Sequence, residues 1–160
     1  MINLEHPFAV IPGLGCRAIA EASESIVALL LRQPDLNIDE DERALSDSVW
    51  RWHGSVGMHV DDVGRNQLAV GMIIRQTGTH WLVAEGRKTQ PLVVGSVYIL
   101  DPHVSHGVLA HNRSADLIAY IEWENRETVS EFTAEGFVTR AIEHIKQLVA
   151  SPQPNNEIWD

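Results

Sequence analysis

The hydrophobic pattern of the chain changes period twice. Between residues 16 and 33, Ile19, Ala22, Ile26, Leu29 and Leu30 recur at three- and four-residue steps. That spacing draws one apolar stripe along a helix, and Pro34 ends it, because proline cannot supply the amide that a further turn needs. Before the helix, Pro7 to Leu14 reads as a short strand closed by the Pro12–Gly13 turn. After it, residues 34–48 carry Asp35, Asp39, Glu40, Asp41 and Glu42 and read as a solvated loop with at most one helical turn. Their spacing fits no calcium-loop pattern.

From Val49 the texture is that of strands. Segments 49–60, 67–75, 80–84, 90–100, 106–110 and 115–124 are short and rich in Val, Ile, Leu, Trp and Tyr. Turn residues separate them: Gly64-Arg65-Asn66, Thr77-Gly78, Glu85-Gly86-Arg87-Lys88 and His111-Asn112-Arg113. Closely spaced strands with such punctuation predict an antiparallel sandwich or barrel. Leu68 to Ile74 is apolar at nearly every position, which predicts a strand buried on both faces. The helical period then returns in Val138, Ala141, Ile142, Ile145, Leu148 and Val149, predicting a helix over about 135–150 that ends before Pro152 and Pro154. The tail, 151–160, reads as loosely ordered. The chain is thus expected to be one domain over 1–160. It is mainly β with flanking helices: a barrel core at about 49–124, an N-terminal strand and helix at about 7–33, and a C-terminal helix.

Composition narrows the function classes. A chain of 160 residues with 44% apolar and 21% charged residues is that of an ordinary globular protein with a real core. A net charge of −10, with only 12 scattered basic residues, speaks against nucleic acid or an anionic membrane surface as partner. The single cysteine, Cys16, cannot form an internal disulfide and reads as a small packing residue. The first residues lack the basic and apolar regions of a signal peptide, and no apolar run is long enough to span a bilayer. A cytoplasmic location is the expectation. The apolar face of the C-terminal helix suits packing on the barrel or on a second subunit.

Candidate chemistry gathers at Gly57-Met58-His59-Val60-Asp61-Asp62. A His and an Asp two residues apart on a strand point to one side, which puts an imidazole and a carboxylate together. One further imidazole would complete a 2-His-1-carboxylate set for Fe(II). The stretch Gly95 to Val108 offers two, His103 and His106. Asp62 faces away and reads as solvated. His53 and His80 read as packed residues, and His6, His111 and His144 as turn or helix-surface residues. Trp50, Trp52 and Trp81 suit the core or the wall of a substrate pocket. Tyr98 and Tyr120, on predicted strands, are able to hydrogen-bond a carboxylate.

His59-x-Asp61, followed by Gly95-Ser96-Val97-Tyr98-Ile99-Leu100-Asp101-Pro102 and then His106-Gly107-Val108, resembles the Fe(II)/2-oxoglutarate-dependent oxygenases. Phe8 to Leu14 and the helix after it look like that family's opening strand and support helix. The resemblance covers roughly residues 57–123. It implies a double-stranded β-helix (a jelly-roll or cupin-like barrel) with an N-terminal support helix. It implies His59, Asp61 and His106 as iron ligands, with the Pro-x-x-x-His-Gly-Val arrangement favouring His106 over His103. It also implies 2-oxoglutarate as co-substrate and the hydroxylation of a small-molecule or peptide substrate. The family places an Arg or Lys after the distal His to pair with the far carboxylate of 2-oxoglutarate. Ala115-Asp116-Leu117-Ile118 has no base there. Arg113 is the nearest replacement, with Arg75 and Lys88 behind it. Two other readings stand beside this one. A cupin-like metalloprotein would need no 2-oxoglutarate, although cupins usually carry His-x-His and a following Glu. A non-catalytic jelly-roll binding module would use His59, Asp61 and His106 as ordinary polar residues.

Overall fold

The structure is a computed structural model that describes residues 8–11, 15–31, 42–44, 48–85, 87–127 and 133–150. The Pro12–Gly13 turn, the acidic stretch 34–41 and the tail 151–160 lie outside the described residues. In chain order the elements are β1 (Phe8–Ile11), α1 (Cys16–Leu31), β2 (Glu42–Ala44), β3 (Val49–His53), β4 (Val56–His59), β5 (Gln67–Thr77) and β6 (His80–Ala84). There follow β7 (Arg87–Leu92), β8 (Val97–Leu100), β9 (His106–Ala110), β10 (Asp116–Asn125) and α2 (Ala134–Ala150).

The strands form two antiparallel sheets. One has six strands in the order β1-β8-β5-β10-β3-β2, and the other has four in the order β4-β9-β6-β7. The helices cover the outer face of the larger sheet. Ile19 and Ala22 of α1, and Phe137, Ala141 and Ile145 of α2, pack there with Val49, Val70, Met72, Val97, Ile99 and Ile118. A second apolar cluster lies between the sheets, with Ala69, Ile73, Leu82, Leu92, Tyr98, Leu100 and Leu117 as members. β5 contributes to both clusters, and Leu68 to Ile74 is buried throughout, as its unbroken apolar run predicts. Thr133 caps α2: its hydroxyl accepts from the amide of Gly136 at 3.2 Å and its carbonyl from that of Phe137 at 3.0 Å.

Three expectations need correction. The segment 49–60 is not one strand, because Gly54 takes φ 67°, a left-handed conformation that sends β3 and β4 into different sheets. The segment 90–100 is divided in the same way at Gly95, φ 86°, between β7 and β8. The acidic stretch 34–48 contains a short strand, β2, which pairs with β3 at Glu42↔Trp52 and Ala44↔Trp50. Cys16 also differs from the packing role expected of it: it is exposed, its thiol 3.4 Å from the carbonyl of Val94.

Candidate metal centre

β4 and β9 pair at the edge of the smaller sheet, and their register sets His59 opposite His106. This pairing needs Gly107. A β-carbon there would lie 2.5 Å from the carbonyl oxygen of Val56, so only glycine lets β4 pass this close. Beyond β4 the chain turns, and the amide of Asp61 donates to the carbonyl of Pro102 at 2.9 Å. That bond ties the carboxylate-bearing segment to the turn that leads into β9. The strand parity expected of His59 and Asp61 therefore ends at His59, and Asp61 is held by a backbone bond across the barrel mouth instead.

The three side chains converge. Nε2 of His59 lies 3.4 Å from Oδ1 of Asp61, and Nε2 of His106 lies 3.3 Å from Oδ2. The two imidazole rings are 4.5 Å apart. One ligand atom from each residue falls within a 4.8 Å span. The environment is graded: the side chain of His106 is 7% exposed, that of Asp61 31% and that of His59 41%.

The hydrogen bonds on the far side of each ring fix its tautomer. Nδ1 of His59 is 2.7 Å from the carbonyl of Gly57, and Nδ1 of His106 is 2.7 Å from the carbonyl of Val104. A carbonyl only accepts, so each Nδ1 carries its proton and donates. In the neutral ring Nε2 then has a lone pair, and both lone pairs point at one carboxylate. With both Nε2 atoms unprotonated, two lone pairs and an anion at 3.3–3.4 Å repel, and a metal ion or a proton among them relieves that repulsion. Metal-ligating histidines show this arrangement, with the outer N–H held by a carbonyl. The donor set of two imidazoles and one carboxylate fits a divalent transition metal.

His103 does not join the site. Its Nδ1 lies 3.0 Å from Asp101, and its Nε2 lies 3.0 Å from the carbonyl of Gly64 and 3.3 Å from that of Val63. Asp101 accepts as well from the amide of His103 and from Arg126 at 2.9 Å, and these bonds hold its carboxyl below the ordinary range against the opposing effect of burial. His103 thus straps the turn before β9.

A cavity of about 380 Å³ opens beside the three residues, between the two sheets. Trp50 and Trp52 of β3 and Trp123 of β10 line one side, with Ile73, Leu82, Leu92, Tyr98, Leu100 and Leu117 deeper in. Trp123 and the side-chain register of β10 were not singled out in the sequence, although Trp123 shares its face with Ile121 at the spacing of two that marks one side of a strand. Trp81 does not line the cavity. Burial pushes the Tyr98 phenol above its ordinary range, and the nearby charge of Asp61 pushes the same way, so its hydroxyl stays protonated.

The cations expected to meet a dicarboxylate are elsewhere. Arg113 is exposed in the turn after β9, its backbone against Gly54. His106 begins β9 and Ala110 ends it, so roughly 13 Å of strand separates the triad from that turn. Arg75 is exposed near the end of β5, opposite Ile118. The side chain of Lys88 lies outside the described residues. Among the described residues that line the cavity there is no Arg or Lys; the ionisable groups are His59, Asp61, Asp62 and His106, with the protonated Tyr98.

A second polar group sits at the other end of the barrel. Arg51 donates to Asp116 at 2.7 Å, and Nδ1 of His53 is 3.8 Å from the same carboxylate. His80, 1% exposed, has no hydrogen-bond partner for either ring nitrogen among the described residues, and burial lowers its pKa more than the charge of Asp116 raises it. These residues do not meet as a metal-ligating set.

No protein-family model matches the sequence, and no curated protein matches it significantly. Solved structures do match. A prolyl hydroxylase from Trichoplax adhaerens, in complex with a peptide fragment of the hypoxia inducible factor oxygen degradation domain, is similar at a TM-score of 0.51 and 11% identity, over 81% of this chain and 88% of that one. An oxidoreductase of the 2OG-Fe(II) oxygenase family from Burkholderia pseudomallei is similar at a TM-score of 0.46 and 14% identity, over 76% of this chain and 88% of that one. A DMSP lyase from Ruegeria pomeroyi matches at a TM-score of 0.36 and 17% identity over 50% of this chain, and the chain spans only 40% of that lyase's length. Cupin proteins occur among the same matches. The two sheets, the helices on one of them and the likeness to the prolyl hydroxylase make this chain a double-stranded β-helix, the jelly-roll or cupin-like barrel, with flanking helices.

Proposed function

We propose that this protein is a non-haem Fe(II)-dependent oxygenase, with His59, Asp61 and His106 as the iron ligands. The observation that carries the reading is the convergence of both rings on Asp61, each with its Nδ1 against a backbone carbonyl. Both histidines spend their Nδ1 protons on backbone carbonyls and turn Nε2 toward one carboxylate. His59, Asp61 and His106 would hold Fe(II), which when bound would supply electrons to O₂. The chain's own residues do the rest. The Gly57 and Val104 carbonyls hold the rings in place, the Pro102 carbonyl holds the Asp61 segment, and the apolar cavity keeps water from the reacting substrate. The Tyr98 hydroxyl is a donor available to a substrate oxygen.

Use of 2-oxoglutarate is the finer form of this reading, and hydroxylation of a small molecule or peptide is its outcome. It requires a cation for the far carboxylate, worth about 1.5–3 kcal/mol in a charge-assisted hydrogen bond. The described cavity lining offers none. That observation favours the form in which the metal acts without 2-oxoglutarate.

Purification without chelator followed by metal analysis tests the assignment. The wild type is expected to retain about one divalent ion per chain, and His59→Ala, Asp61→Ala and His106→Ala are each expected to lose it. Full retention in any of the three would overturn the ligand set. Anaerobic addition of Fe(II) and 2-oxoglutarate then separates the two forms, since chelation of iron by the keto acid gives a visible charge-transfer band and the form without it gives none.

A further inference from the structure

The cavity is built asymmetrically. Its wall on the larger sheet is aromatic: Trp50 and Trp52 stand two residues apart on β3, and Trp123 adds a third indole from β10. The facing side, on the smaller sheet, carries the His59–Asp61–His106 cluster. Indoles presented side by side favour a flat ring in offset or edge-to-face contact. The volume, about 380 Å³, lies near the lower end of the range of about 300–1,000 Å³ for small-molecule sites.

Charge narrows the occupant further. The only anionic groups at the cavity among the described residues are Asp61 and Asp62, and no Arg or Lys lines it. A divalent ion at the triad is balanced by those two carboxylates. A dicarboxylate would add two further negative charges with no cation among the described lining residues, and it would lose its water shell against tryptophan, leucine and isoleucine side chains. A neutral ring carries no such penalty, and a single hydroxyl on it finds the Tyr98 phenol or the metal position.

We propose that this cavity receives a flat, uncharged aromatic molecule bearing one oxygen, seated against the Trp50–Trp52–Trp123 wall, in place of a dicarboxylate. The proposal names the substrate class of the centre described above and rests on that reading for the metal alone. The indole wall and the lack of a cation among the described lining residues belong to the metal-free cavity and are tested there.

2-Naphthol serves as the probe and 2-oxoglutarate as its charged comparator. Each is titrated calorimetrically into metal-free and zinc-loaded protein. Saturable 2-naphthol binding in both forms is expected, with no saturable binding of 2-oxoglutarate. Trp52→Ala is expected to weaken 2-naphthol at least ten-fold and Trp52→Phe, which keeps a ring, by less than three-fold. Trp123 is 48% exposed at the rim, so Trp123→Ala is expected to keep the fold and to weaken binding several-fold. Saturable 2-oxoglutarate binding in either form, or 2-naphthol affinity unchanged in both alanine variants, would overturn the proposal. Zinc content of the wild type and of His106→Ala is measured alongside, so that failure of the metal reading shows as lost stoichiometry while the probe titrations still decide the ligand class.

Discussion

A β-carbon at position 107 would lie 2.5 Å from the Val56 carbonyl oxygen and 3.1 Å from that of Gly57. The obstacle is backbone, so the neighbouring strand must move. Gly107→Ala is therefore expected to push β4 outward, carry His59 away from His106, and weaken metal retention at least ten-fold, with about 1–3 kcal/mol lost in stability as for other overpacked sites. Metal content and a urea melt of the same sample check both effects. His80 makes a different demand. Its ring is buried without a hydrogen-bond partner among the described residues, and its pKa lies below the ordinary 6.5 because burial penalises the charged form. The unfolded chain then binds the proton more readily than the folded one, so this residue's effect is absent above 6.5 and stability falls as pH drops below it. Urea midpoints at about pH 7.5 and about pH 5 should differ more in the wild type than in His80→Leu, which removes the titrating group. An equal drop in both would show that the acid sensitivity lies elsewhere.

At the scale of elements, the long periodic segments were readable and their breaks were not. The helical stripe over 16–33 corresponds to α1 at 16–31, and the one over 135–150 to α2 at 134–150. A period of 3.6 over four turns is a strong local signal. The unbroken apolar run of β5 was equally plain. The kinks at Gly54 and Gly95 were missed because a glycine inside a strand-like segment marks a bend only once the two halves are seen in different sheets. β2 was missed because a three-residue edge strand, Glu42-Arg43-Ala44, has no apolar face of its own; it is held by backbone pairing with β3. α2 supplies the clearest energetic test. Phe137 is fully buried between the helix and the larger sheet, against Tyr120 at a ring separation of 5.7 Å. Phe137→Ala is expected to cost about 3–5 kcal/mol. A urea midpoint shift measures it, and a shift below about 1 kcal/mol would mean that α2 is not docked as described.

At the scale of the whole molecule, the proposed metal centre would couple folding to ligation. His59 and Asp61 come from one side of the barrel mouth and His106 from a strand 45 residues later, so an ion held by all three favours the folded state alone. A free ion at a hundred times its dissociation constant should add about 2.7 kcal/mol to the unfolding free energy. Thermal melts with and without added ion are expected to show that gain in the wild type and not in His106→Ala. The residue types of this centre were legible in the sequence, since His-x-Asp and Pro-x-x-x-His-Gly are local patterns. So were the mainly β class and the two flanking helices, because period and turn chemistry act over a few residues. Which residues share a cavity is another matter. Arg113, seven positions after His106, is near it along the chain and at the opposite end of β9 in space. Trp123 is far along the chain and shares the cavity with His59. A strand carries its neighbours away from a site at about 3.3 Å per residue, while sheet pairing returns distant ones to it. Sequence therefore determined the ligands on offer and the type of barrel, and tertiary pairing decided that the cavity beside them is aromatic and has no cation among its described walls.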